Sequence, residues 1–216
     1  MRASMHLGRL NDAAQYRLER LQALYNTMGG LPVPQQSRRL AYISIELDNL
    51  NICTLREFTV STIRGAKTTT GKRITVNQRM GPDDEIGAFI LSVVNSVKYR
   101  KLRNPVKVQR TQEQTIRDPK EVEKVLVACG ASNLPSLQNA LSLNSSLFRD
   151  IKFIRHFYAH RSKDTFIKAS ANAASMGIHN PSHPDQILKY VVTGRPHSVI
   201  EEWLVEAKIF YQLLME

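Results

Sequence analysis

Apolar residues recur every three or four positions over long stretches of this chain, which is the spacing of amphipathic helices. Between 7 and 28 they lie on one face of several turns, and Gly29, Gly30 and Pro32 end the pattern. A second stripe begins at 35 and continues to about 63. The pattern therefore predicts two long helices in the first part of the chain.

Shorter helical patterns follow. They cover 83–98, 119–129, 134–143, 147–160, 164–176 and 198–215, while 186–192 fits either a short helix or a strand. Residues 60–63 and 74–76 flank the turn signal at 68–71 and allow a small hairpin. The predicted fold class is an all-α bundle with short helices, a loop insertion and, as an open alternative, that hairpin.

The length of 216 residues predicts a single domain over 1–216. A basic segment at about 64–117 is predicted to be an insertion in it. Cys53 and Cys129 lie far apart, so a disulfide framework is not expected and a reducing, cytoplasmic location is predicted. No apolar run is long enough to span a bilayer, so we expect no membrane partner.

The formal charge of +11 is large for this length and favours a nucleic acid as partner. A merely basic surface is the alternative. The segments 64–79 and 98–110 hold much of the excess, and each is interpreted either as an RNA contact or as a solvated loop. His179 and His183 have the spacing of half a zinc site, but no nearby ligands complete it, so no metal is predicted.

Candidate chemistry is concentrated in the predicted helix at 147–160. Its second half carries Lys152, Arg155, His156 and His160. An imidazole can transfer a proton near neutral pH, and a guanidinium can hold a phosphate through two parallel hydrogen bonds. These residue types are suited to chemistry on a phosphodiester.

The same residues resemble the signature of the HEPN ribonuclease family. Arg155 and His160 form an Arg-x4-His motif, with His156 straight after the arginine and Ala159 before the final histidine. The resemblance covers roughly two thirds of the chain by pattern. Trp203, after the break at 194–196, resembles the RiboL-PSP branch.

This resemblance implies a small helical protein that cleaves RNA without a metal or cofactor. It implies a homodimer with a composite active site, and a role as a toxin or antiviral effector with an antitoxin or defence-system partner. Glu46 and Asn49 match the acidic and amide positions of an earlier helix. Glu46 either holds Arg155 in place or belongs to a solvated edge. Ser162 stands where some members have a modifiable tyrosine, which puts regulation by that route in doubt.

The expected roles follow from 2′-hydroxyl attack on RNA. His160 is the predicted acid or base, Arg155 binds the scissile phosphate and His156 assists. The predicted supporting or RNA-binding residues are Glu46, Asn49, Lys152, Tyr158, Arg161 and Lys163. In an ideal helix Arg155 and His160 diverge by about 140°. Three routes would bring them together: a helix that loosens near Ala159, an arginine that reaches across, or a second subunit that completes the site, which is what the family resemblance implies.

Three alternatives stay open. Arg155 and His160 are also compatible with a buried arginine and a histidine that caps the helix C-terminus. The second alternative is a module of the same fold that binds RNA or nucleotides without cleaving them. A helical subunit of a larger defence complex, packed on RNA, is the third.

Overall fold

The chain is all-α. The computed structural model describes residues 3, 5–77, 80–102 and 106–216. In these residues the helices are α1 Leu7–Asn26, α2 Val33–Ile63, α3 Asp83–Val94, α4 Ser96–Arg100, α5 Pro119–Cys129, α6 Leu134–Leu141, α7 Leu147–His160, α8 Lys163–Ser175, α9 Pro184–Lys189 and α10 Val199–Leu214. The β pairing in the same residues consists of isolated bridges. Within this part of the chain, no helix has the length and apolar content needed to cross a bilayer.

The structure confirms most of the predicted helices and corrects two details. The stretch 83–98 breaks at Asn95, whose non-helical backbone (φ −141°, ψ 72°) separates α3 from α4 and whose side chain accepts from the Lys98 amide. The hairpin prediction is wrong, because 60–63 is the last turn of α2. Val60 and Ile63 are almost completely buried there, so packing overrides their β propensity. The stretch at 186–192 contributes to a helix, α9.

Two compact units make up the chain. Unit 1 comprises Met1–Ala14, Ile52–Leu143 and Phe210–Glu216, and unit 2 comprises Gln15–Asn51 and Asn144–Ile209. The helices α1, α2 and α10 each contribute to both units. The single domain over 1–216 stays a prediction.

In unit 2, α10 fixes the start of α7. The indole Nε1 of Trp203, 1% exposed, donates to Ser146 Oγ at 3.0 Å. Ser145 Oγ donates to a carboxylate oxygen of Glu206 at 2.6 Å and also accepts from the Leu147 amide. These bonds satisfy polar groups at the helix start, so α7 begins at a defined position.

In unit 1, a charged cluster fixes the segment 106–117. The Arg56 guanidinium donates through two nitrogens to Glu113, at 2.6 and 2.8 Å, and through the third to Glu57 at 2.6 Å. Gly87 of α3 lies against the same segment: a Cβ there would approach Val108 to 2.9 Å and Glu113 to 3.1 Å. Only a residue without a side chain permits this close approach.

Candidate functional site

The helix α7 presents its buried and exposed residues on opposite sides. Leu147, Ile151 and Ile154 are at most 2% exposed and form its buried side. The helix ends at Arg161, which adopts the left-handed conformation at φ 48° while its amide donates to the Phe157 carbonyl at 2.6 Å. The chain changes direction at this residue, and the basic residues of 161–163 therefore follow the helix end that carries the histidines.

Arg155 faces a buried carboxylate of α2. Its Nε lies 3.7 Å from Asp48 Oδ2, and the side chains are 32% and 2% exposed respectively. The arginine therefore has one part beside a buried negative charge and another part open to solvent. At 3.7 Å the two groups attract each other as charges without a hydrogen bond between these atoms.

Glu46 does not make the pairing with Arg155 that the sequence left open. One carboxylate oxygen accepts from Arg17 at 3.0 Å and the other accepts from Asn49 at 3.3 Å. The physical reason is the helical period, because positions 46 and 48 point in directions about 160° apart. Asp48, not Glu46, is thus the acidic residue that faces Arg155.

His156 and His160 lie one turn apart on α7, and their rings meet edge to face with centroids 4.5 Å apart. Both side chains are exposed. His160 occupies the last turn, where the helix dipole favours a positive charge. The spacing of four residues thus places both imidazoles on one face of α7.

Tyr158 is a supporting residue with a buried side chain. Its hydroxyl donates to Asp185 Oδ1 at 2.5 Å, and the residue is 6% exposed. Burial, followed by the bond to Asp185, raises the pKa of Tyr158 far above its ordinary value. The hydroxyl therefore stays protonated and serves to anchor the end of α7 to α9.

His183 caps α9: its Nδ1 accepts from the Asp185 amide at 3.2 Å. Its ring also packs against Phe157 of α7, with centroids 5.3 Å apart. Within the described residues, no group of three or more histidine, cysteine or acidic side chains has an arrangement that could hold a metal ion. This histidine has a structural role in the contact between α7 and α9.

The remaining predicted residues surround the helix end. Lys152, Arg161 and Lys163 are exposed. The ammonium of Lys152 lies 5.0 Å from the centre of the Phe153 ring. Together with the two histidines, these side chains form an exposed basic cluster at the end of α7 in unit 2, and the partly exposed Arg155 lies on another face of the same helix.

Sequence reasoning missed two acidic residues, Asp48 and Asp185. Asp48 follows Leu47 of the apolar stripe, so its position beside a buried leucine was the available signal. Asp185 follows a His-Pro turn, and nothing in the local sequence relates it to Tyr158, which lies 27 residues earlier. Both acids are brought to α7 by the tertiary fold.

Neither the family models, the curated proteins nor the solved structures that were compared with this chain gave a match.

The geometry supports two separate chemical capacities. Arg155 is held beside Asp48 in a position to bind an anion, and His156 with His160 offers exposed imidazoles for proton transfer. Arg155 turns toward α2, whereas His160 contacts His156 on an exposed face. Within one chain these capacities lie on different faces of α7.

Proposed function

We propose that this chain is a metal-independent endoribonuclease of the HEPN type, active as a homodimer and serving as a toxin or defence effector. The observation that carries the proposal is the position of Arg155. It is partly exposed beside the buried Asp48, one residue before the exposed pair His156 and His160. The net charge of +11 is consistent with an RNA substrate.

RNA supplies its own nucleophile, so the protein need only move protons and stabilise charge. A base removes the proton of the 2′-hydroxyl, and the 2′-oxygen attacks the adjacent phosphorus. The bond from phosphorus to the 5′-oxygen breaks, and an acid protonates that oxygen. We assign the proton transfers to His160, assisted by His156, with each transfer worth roughly 10²- to 10⁴-fold in rate.

Arg155 binds the scissile phosphate and stabilises the charge that develops on its oxygens. Asp48 lies 3.7 Å from the Arg155 Nε, beyond hydrogen-bond distance, and its negative charge attracts that edge of the guanidinium. We assign the other nitrogens to the phosphate. Lys152, Arg161 and Lys163 supply further attraction for the RNA strand. The products are a 2′,3′-cyclic phosphate and a 5′-hydroxyl.

A second subunit resolves the divergence of Arg155 and His160. If two α7 helices face one cleft across a two-fold axis, the arginine of one copy meets the histidine of the other. The same proposal extends to a restraining antitoxin or a defence-system partner, and to growth arrest when the chain is expressed without it.

The test incubates the purified protein with mixed RNAs in EDTA and identifies the new ends. We expect cyclic phosphate ends from the wild-type protein, and loss of cleavage in both His160→Ala and Arg155→Ala. His179→Ala is the matched control, because this histidine is also exposed but lies in a loop away from α7. Cleavage by His160→Ala at the wild-type rate would refute the mechanism.

A second candidate is an RNA-binding module without catalytic activity. The separate directions of Arg155 and His160 within one chain favour it. In that case RNA binding depends strongly on salt, no new RNA ends form, and His160→Ala binds RNA as the wild type does.

A further inference from the structure

Unit 1 carries a row of basic side chains where three extended segments meet. Lys67 forms a parallel bridge with His6 and an antiparallel bridge with Arg73. Residues paired across a bridge direct their side chains to the same face, so the three side chains form a row. All three are exposed.

The backbone hydrogen bonds on either side of Lys67 and Arg73 determine the distance between these two residues. The Thr68 amide donates to the Lys72 carbonyl at 2.9 Å, and the Ile74 amide donates to the Ala66 carbonyl at 2.8 Å. These bonds flank the pair 67/73, which is therefore a non-hydrogen-bonded pair. In such pairs the Cα atoms are about 4.5 Å apart and the side chains approach most closely.

Two like charges directly opposite each other in this arrangement destabilise the pairing. In the described residues, no ion pair joins Lys67 or Arg73 to a carboxylate. Glu216 follows Met215, whose carbonyl accepts from the Thr69 amide at 2.9 Å, but in the described residues its exposed side chain forms no ion pair with Lys67 or Arg73. The repulsion is therefore uncompensated within this part of the protein.

The backbone of the row is nevertheless firmly held. The Lys67 amide donates to the Met5 carbonyl at 2.8 Å, and the Lys67 carbonyl accepts from the Leu7 amide at 2.7 Å. Ala66 and Ile74, which flank the row, are buried. A fixed backbone that keeps two cations opposed has the properties expected of a preformed anion site.

We propose that His6, Lys67 and Arg73 form a second RNA contact, which binds successive phosphates of a single strand outside the cleavage cluster. Neighbouring strands are about 4.8 Å apart, so the row extends over roughly 10 Å. The contact reads phosphate charge and not base sequence. The choice of RNA as the polyanion rests on the proposed function, but the row itself does not depend on cleavage.

The test measures binding of a short single-stranded RNA whose 2′-hydroxyls are methylated, so that cleavage cannot occur. Fluorescence anisotropy gives the dissociation constant of the full chain over a range of salt concentrations. The variant Lys67→Gln/Arg73→Gln is compared with Lys120→Gln/Lys124→Gln, which removes the same charge from exposed positions on α5 of the same unit.

We expect the row variant to bind on the order of tenfold more weakly at low salt. Its slope of log affinity against log salt should fall by roughly 1.4, because each phosphate contact on a single strand contributes about 0.7. The α5 control should keep the wild-type slope. If both variants lost the same RNA affinity, the row would not be a specific site, and the net positive charge of the protein would account for the binding.

A third variant separates binding from folding. Lys67→Glu places a carboxylate opposite Arg73, so the urea midpoint should rise while RNA binding falls. A raised midpoint with unchanged RNA binding would overturn the proposal. Since the probe is uncleavable, this result is independent of whether His160 catalyses the reaction.

Discussion

A buried carboxylate is costly unless a positive group or several hydrogen bonds compensate it. In unit 2 Arg155 contributes to this compensation for Asp48, because its Nε lies 3.7 Å from Oδ2, an ion-pair contact without a hydrogen bond. The same ion pair attracts the guanidinium that we assign to phosphate binding. At the scale of single residues, the position of Arg155 thus depends on a residue that does not touch the substrate.

We therefore expect Asp48→Asn to reduce RNA cleavage by about 10- to 100-fold, because a small displacement of the binding group lowers the rate by such factors. Glu46→Gln is the matched control on the same helix. It removes only a half-exposed pair with Arg17, which is worth less than about 1 kcal/mol. Initial rates of single-turnover cleavage provide the measurement, with urea unfolding to verify folding. Equal rates in the two variants would contradict the positioning role of Asp48.

The sequence predicted which residues of α7 share a face, but it did not predict which residues of other helices contact them. Helical spacing places His156 and His160 on one face without any tertiary information. The partner of Arg155 depends on how α2 is rotated about its axis, and Glu46 and Asp48 are equally acidic. Local sequence therefore identified the arginine and the earlier helix. It left Glu46 open between a contact with Arg155 and a solvated edge, and the structure places Asp48 beside Arg155.

At the scale of secondary-structure elements, the end of α7 combines a strained backbone with a positive charge. Arg161 adopts φ 48°, a conformation in which a side chain costs about 1 kcal/mol and glycine costs little. The sequence 159–162 does not predict this left-handed conformation, because glycine is the usual residue at such a helix end. Arg161 thus carries its charge at a backbone position where glycine would cost less.

Arg161→Gly should therefore stabilise the protein by up to about 1 kcal/mol. The same variant should weaken RNA cleavage, because it removes one cation from the exposed cluster. Asn180→Gly is the control: it also lies at positive φ, 51°, and should stabilise slightly without affecting cleavage. Thermal unfolding and cleavage rates would be measured together. Unchanged cleavage in Arg161→Gly would exclude Arg161 from RNA binding.

The start of α10 gives a pH-dependent contribution to stability. Burial alone would raise the pKa of Glu201, but hydrogen bonds from the side chain and amide of Ser198 outweigh it and lower the pKa below 4.5. A lowered folded pKa means that stability is present above about pH 4.5 and is lost as the pH falls through the folded value.

We expect urea unfolding of the wild type to show this loss in acid, and Glu201→Gln to show a flatter profile below pH about 4.5. Glu19→Gln, an exposed position on α1, should keep the wild-type pH dependence. Parallel profiles for wild type and Glu201→Gln would contradict the role assigned to Ser198.

The fold class was predictable at the level of elements because long apolar stripes determine helices almost independently of their neighbours. The breaks were less predictable. Asn95 interrupts an apolar pattern that continues across it, and the β-branched end of α2 is helical because it is buried. The division of the chain into two units, which divides α1, α2 and α10, depends on tertiary packing that no local pattern contains.

At the scale of the whole molecule, the proposed active site requires two chains. A mixing experiment can establish whether Arg155 and His160 act in one chain or across the dimer. Arg155→Ala and His160→Ala are each expected to be inactive alone. In a mixed dimer, the first variant supplies the intact histidine and the second supplies the intact arginine, so one composite site is restored.

We expect the mixture, after exchange of subunits, to recover about a quarter of wild-type cleavage, because half of the dimers are mixed and each regains one of two sites. Sedimentation equilibrium of the wild-type protein would verify the dimer, and a mixture of Arg155→Ala with Arg155→Ala/His160→Ala is the control that should stay inactive. A dimer that shows no recovery would assign both residues to the same chain. Since Arg155 and His160 diverge along α7, that result would require the helix to rearrange between these two positions.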